Sequence, residues 1–179
     1  VILLVLYIVH ENYRRDQELM KYAQTDALTG LYNKETTKLR TDEILSTDKD
    51  MIHAFLILDM DCFKQINDGY GHAVGDIVLQ KFGQLLRDIF REDDIVGRIG
   101  GDEFVVVMKN VKMKEMAIAK AEELLTKTQQ YEIKELNGSA ISISIGIAMA
   151  PEDGDCYMDL YKNADTALYE TKQNGKDGY

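Results

Sequence analysis

Four carboxylates at the ends of apolar runs are the residues of this chain best placed to do chemistry. Asp59 and Asp61 close "HAFLILDMD" (53–61), and Asp102 and Glu103 follow a glycine pair in "RIGGDEFVVVM" (98–108). Side chains alternate along a strand, so Asp59 and Asp61 share one face at its C-terminal end. An unpartnered buried carboxylate costs several kcal/mol, so such residues call for a cation or a set of donors. If the two strands are neighbours, three or four carboxylates converge. Oxygen-rich clusters of this kind suit Mg²⁺ or Mn²⁺, which prefer hard ligands and substrate phosphates. Acids at strand ends are commonly just solvated; two such pairs in one short domain favour the metal reading.

The elements that must position them can be read from hydrophobic period and punctuation. An uninterrupted helix runs through the first two dozen residues and stops near "TDALTGLYN". A second helix covers residues 33 to 46, and residues 53 to 61 form a buried strand. In "GHAVGDIVLQKFGQLLRDIF", Val74, Ile77, Val78, Phe82, Leu85, Leu86 and Ile89 recur at helical spacing. "DIVGRIGGDEFVVVMK" reads as two strands joined at Gly100-Gly101. A helix follows over about 112 to 130, then an alternating strand over 139 to 150, ended by Pro151. "YMDLYKNADTALYETKQNG" closes the series as an amphipathic helix with Leu160, Ala164 and Leu168 on one stripe. The order strand-helix-strand-strand-helix-strand predicts an α+β fold of the ferredoxin-like or palm type. Its sheet is antiparallel, with helices on one face.

Composition bounds the function. The 179 residues suit one domain (25–179) with an N-terminal helical extension (1–24), and 45% hydrophobic with 29% charged residues reads as globular. A net charge of −10 argues against nucleic acid as a partner, although metal ions and a few lysines still permit a nucleotide. Cys62 and Cys156 make no framework, which favours a reducing compartment. The run "VILLVLYIV" is too short to span a bilayer, which needs about 20 residues. Followed by Arg14 and Arg15, it fits the cytoplasmic end of a membrane helix. The expectation is a cytoplasmic domain attached to the inner face of the cell membrane, with a sensor or membrane segment upstream.

Four stretches together resemble the GGDEF family, the diguanylate cyclases, over residues 26 to 176. They are "DALTGLYNK" (26–34), "DMDCFKQINDGYGHAVGD" (59–76), "GGDEF" (100–104) and "ADTALYETKQNGK" (164–176). The resemblance implies that Asp59 and Asp102 ligate two divalent cations per site, helped by the Met60 carbonyl. It leaves Asp61, which the strand-face reading also favoured, a secondary ligand. Asn67 and Asp76 would hydrogen-bond guanine, since an Asp accepts from both N1–H and the N2 amine and an Asn amide complements it. His72 would lie near the nucleotide. Lys64 and Lys172 would hold triphosphate oxygens. Backbone N–H groups around Cys62, Phe63 and Lys64, in a turn after the strand, would cradle the β- and γ-phosphates. At Lys176 the family usually has arginine; lysine keeps the charge without the bidentate fork.

The implied reaction condenses two GTP into cyclic di-GMP and two pyrophosphates across a homodimer. In it Asp102 serves as candidate proton acceptor, with Glu103 nearby. "REDD" (91–94) matches the family's RxxD inhibitory pattern, so Arg91 and Asp94 would bind the product. The competing reading is a non-catalytic receptor for GTP or cyclic di-GMP, or a dimerisation module.

Overall fold

The computed structural model describes residues 7, 9–15, 22–138 and 140–179. In chain order they form α1 (Lys34–Thr47), β1 (His53–Met60), α2 (Phe63–Tyr70), α3 (His72–Ile89), β2 (Ile95–Gly100) and β3 (Glu103–Met108). There follow α4 (Lys114–Gln130), a 3₁₀ turn at Lys134–Leu136, β4 (Ile143–Ala150) and α5 (Tyr157–Gln173). Of the expected first helix, residues 9–15 and 22–24 are helical. Residues 1–6, and so most of the apolar run read as membrane-associated, lie outside the described residues. No helix among the described residues is long and apolar enough to cross a membrane.

One four-stranded sheet carries the fold, in the order β2-β3-β1-β4, with every adjacent pair antiparallel. That is the ferredoxin-like arrangement the sequence predicts, with one correction. Helices cover both faces of the sheet rather than one. Ala54, Leu56, Leu58 and Met60 of β1 pack with α3 and α4, while Phe55 and Ile57 pack with α1 and α5. An apolar run without alternation is what a strand buried on both faces requires.

Two further differences are local. The turn expected around Cys62, Phe63 and Lys64, where Cys62 takes a left-handed conformation with φ 57°, leads directly into a short helix over residues 63–70 that the sequence pattern does not predict. Its Asn, Asp and Gly are poor helix formers, but Phe63 and Ile66 pack on the core, and tertiary contact overrides propensity. β4 begins at Ile143 rather than at residue 139, and Ser139 itself lies outside the described residues.

Two close approaches fix the site's geometry. Phe82 of α3 meets Phe104 of β3 edge to face, with centroids 5.0 Å apart, which pins α3 beside Glu103. A Cβ at Gly146 would collide with the Ala164 carbonyl and with Leu168, so glycine lets α5 lie directly on β4. Ala164 and Leu168 are buried there, and Lys172 follows one turn later on the same stripe.

Candidate active site

β1 and β3 deliver the acids. Asp59 stands directly opposite Glu103 in the β1/β3 register, so both side chains leave the same face of the sheet. Asp102 lies in the hairpin turn, where its carbonyl accepts from the Met60 N–H at 3.3 Å. N–H and C=O of one strand residue point to the same side, so the Met60 carbonyl faces this turn as well. Gly101 has φ 49°, a left-handed conformation that glycine adopts without steric cost. α5 brings Lys172, whose Nζ lies 2.8 Å from Asp59 Oδ1.

The electrostatics follow from crowding. Burial pushes the Asp59 carboxyl above its ordinary range; Lys172 opposes this, while Asp102 and Asp61 add to it. Burial, then repulsion from Asp59 and Asp102, raises Glu103 likewise. The donor set is all oxygen and its negative charge exceeds what one lysine neutralises, so a hard divalent cation fits it. A tighter grouping, Asp155, Cys156 and Asp159, has ligand atoms within 4.8 Å of one another, but at the opposite end of the sheet.

Asp61 is the clearest departure from the strand-face reading. It does share the face of Asp59, yet only 8% of it is exposed. Its carboxylate accepts from Ser144 Oγ at 2.8 Å, Ser142 Oγ at 3.0 Å and the Asp177 N–H at 3.2 Å. Those three donors occupy both oxygens. Asp61 is satisfied by protein donors rather than free for a cation.

The residues expected to face a nucleotide lie around the β1–α2 turn. Cys62 and Lys64 are exposed, and Phe63 and Lys64 open α2, at whose start N–H groups lack the usual intrahelical acceptor, although the Gln65 N–H donates to the Cys62 carbonyl at 2.8 Å. Lys176 reaches the same turn, its Nζ 3.5 Å from Cys62 Sγ. The side chain of Asn67 lies over Gly75, where any Cβ would strike its Oδ1, which places it beside Asp76. His72 and Asp76, in the first turns of α3, are exposed.

Arg91 lies apart from these groups, in a cavity of about 380 Å³ that Gly30, Arg87 and Asp94 also line. Both Asp94 oxygens accept backbone N–H groups, from Arg91 and Lys109, each at 3.0 Å. Asp94 therefore fixes the turn that presents Arg91, and only its remaining lone pairs could meet a ligand. Arg87, a second guanidinium in this cavity, was missed in the sequence; the i, i+4 spacing of "RDIFR" carried the signal.

Arg98 was missed as well. Its Nε and Nη2 donate to the Gly101 carbonyl at 2.9 and 2.8 Å, and its Nη1 donates to both Asp26 oxygens at 3.1 and 3.2 Å. Burial alone would raise the Asp26 carboxyl, but hydrogen bonds from Thr29 and Arg98 outweigh it and hold it low. One side chain thus joins the "TDALTGLYN" loop to the turn that carries Asp102.

An antiparallel sheet covered on both faces, with an acidic hairpin and an oxygen-rich strand end side by side, is a palm-type arrangement. The family model described as "Diguanylate cyclase, GGDEF domain" matches residues 23–178, and the chain belongs to that family. It is 37% identical over 169 residues to the bifunctional diguanylate cyclase/cyclic di-GMP phosphodiesterase MucR of Pseudomonas aeruginosa. That match covers 93% of this chain and 24% of MucR, so the chain spans about a quarter of that relative's length. The solved GGDEF domain of TpbB, also from Pseudomonas aeruginosa, superposes with a TM-score of 0.80 at 35% identity, over 86% of this chain and 91% of that one. The GGDEF domain of DgcB from Caulobacter crescentus, solved in complex with c-di-GMP, superposes with a TM-score of 0.79 at 25% identity. It covers 87% of this chain and 94% of that one.

Proposed function

We propose that this chain is a diguanylate cyclase, condensing two GTP into cyclic di-GMP with release of two pyrophosphates. The observation that carries the proposal is the pairing of Asp59 with Glu103 beside Asp102, with Lys172 reaching Asp59 from α5. Each domain holds one GTP, and two domains face each other as a homodimer. The 3′-oxygen of one GTP bonds to the α-phosphorus of the other as the bond to pyrophosphate breaks, and the step then repeats in the opposite sense. Asn67 and Asp76 hold guanine, with His72 near the nucleotide. Lys64, Lys172, Lys176 and the N–H groups around Cys62 and Phe63 hold the triphosphate.

Asp59, Asp102 and the Met60 carbonyl would hold Mg²⁺ or Mn²⁺. When bound, such cations lower the pKa of the attacking hydroxyl and neutralise charge on the leaving group. Asp102 is the candidate acceptor of the hydroxyl proton, with Glu103 nearby. A raised carboxyl such as Glu103 suits proton transfer near neutral pH. Product bound at Arg91 and Asp94 holds the two GTP sites apart and limits synthesis.

The test is chromatography of the protein incubated with GTP and Mg²⁺. Cyclic di-GMP and pyrophosphate in a 1:2 ratio are expected from the reaction's stoichiometry. GTP binding without product would make the domain a receptor instead.

A further inference from the structure

We infer that Asp61 is a positioning residue, which docks the segment after α5 so that Lys176 is held at the β1–α2 turn. The inference rests on the cyclase reading above for the part Lys176 plays. The docking itself is geometric. Asp61 gathers donors from three places: the hydroxyls of Ser142 and Ser144 at the start of β4, and the backbone N–H of Asp177. Its own N–H donates to the Ser142 carbonyl at 2.9 Å, which locks it to the same strand. The segment is fastened further where Ile145 N–H donates to the Gly178 carbonyl at 2.9 Å, Gln129 Nε2 to Asp177 Oδ2 at 2.6 Å and the Tyr179 hydroxyl to Glu122 Oε1 at 2.8 Å. Only Asp61, however, holds the Asp177 N–H next to Lys176.

The segment needs those fastenings. Lys176 and Asp177 have φ of 64° and 50°, left-handed conformations that cost a residue with a Cβ on the order of 1 kcal/mol. Only fixed partners keep two such residues in succession. Between them they aim Lys176 Nζ at Cys62, beside the first turn of α2. A buried carboxylate close to Asp59 is electrostatically unfavourable in itself, since Asp61 contributes to raising Asp59. Its three donors supply the compensation that makes the burial tolerable.

The chemistry separates this role from metal ligation. An asparagine at 61 can accept from Ser142 and Asp177 through Oδ1 while its amide donates to a rotated Ser144 hydroxyl. It therefore keeps the docking but forfeits the charge that a cation requires.

Asp61→Ala, Asp61→Asn and Lys176→Ala are to be compared with the wild-type chain. The first measurement is amide hydrogen exchange over residues 175–179, without nucleotide or metal. Asp61→Ala should exchange about tenfold faster, the effect of losing hydrogen bonds to one charged acceptor, whereas Asp61→Asn should follow wild type. The second is steady-state kinetics. Asp61→Ala should raise KM for GTP about tenfold with kcat little changed, and adding Lys176→Ala should raise it no further. Asp61→Asn should restore KM, with the Mg²⁺ requirement unaltered. Equal failure of Asn and Ala with a shifted Mg²⁺ requirement would make Asp61 a ligand and overturn the inference. Unchanged exchange in a folded Asp61→Ala protein would overturn it too. Should Asp61→Ala not fold, Ser142→Ala with Ser144→Ala must loosen residues 175–179 instead, or the inference fails. If wild type makes no product, the cyclase reading falls, while hydrogen exchange and GTP affinity by calorimetry still decide the docking.

Discussion

Asp59 and Glu103 face each other across the β1/β3 ladder, and Lys172 stands 2.8 Å from Asp59. Like charges directly opposite in a sheet are destabilising. Both carboxyls are raised, with burial the largest cause in each; repulsion from Asp59 adds to it at Glu103, whereas Asp102 and Asp61 add to it at Asp59. The native state then binds protons more readily than the unfolded chain, so this pair's contribution to stability is greatest below the ordinary carboxylate pKa. It is lost as pH rises through the raised native values. Glu103→Gln should therefore raise Tm at pH 7 in metal-free buffer, by no more than about 1 kcal/mol of stability given partial solvent screening. The gain should shrink as pH falls toward about 4, where the wild-type glutamate is itself increasingly protonated. Thermal melts at both pH values check the sign. A destabilised Glu103→Gln protein at neutral pH would contradict the repulsion.

Asp102 sits in a turn and contributes little packing. Asp102→Ala should leave the fold near wild type and reduce cyclic di-GMP synthesis by at least about 10²-fold, the scale for one well-placed electrostatic group. Circular dichroism and product chromatography measure the two halves. Normal turnover in the folded variant would remove Asp102 from the reaction.

A site shared between two chains makes activity depend on concentration. Specific activity should rise with protein through the micromolar range unless the helix before residue 25 already holds a dimer. In that case removing residues 1 to 22 should restore the dependence. Dilution assays paired with light scattering test this. Constant activity per chain in a demonstrated monomer would rule out the shared site.

Arg91 is exposed, and the turn beneath it is fixed by Asp94. Arg91→Ala should raise the cyclic di-GMP accumulated at long times while leaving the initial rate nearly unchanged. Calorimetry should show product binding weakened by about 1.5 kcal/mol or more, the worth of a hydrogen bond to a charged group. Absence of product binding to wild type at tens of micromolar would rule out this site and leave the cyclase proposal standing.

Much of this site was legible because its signals are local. Alternation along β1 placed Asp59 and Asp61 on one face and two glycines marked the β2–β3 turn, whereas Lys172 came from the family resemblance. What escaped notice depends on register and on distant partners. No local pattern shows that Ser142 and Ser144 would meet Asp61, because that pairing exists only once β4 lies beside β1. The short helix α2 was hidden for a related reason: its own residues disfavour helix, and the packing of Phe63 and Ile66 that secures it is tertiary. Helices on both faces were implied by the unbroken apolar run of β1, a pattern that the alternation of β4 obscured.

The Arg98 guanidinium has a thermodynamic consequence of its own. It spans 72 positions of sequence with a single side chain, grasping Asp26 on one side and the Gly101 carbonyl on the other. Release of either contact leaves part of the guanidinium without its partner and loosens its hold on the other, so the openings of the two segments are coupled through one side chain. Fraying that begins where the first helix ends is thus felt at the acidic turn without passing through the sheet between them.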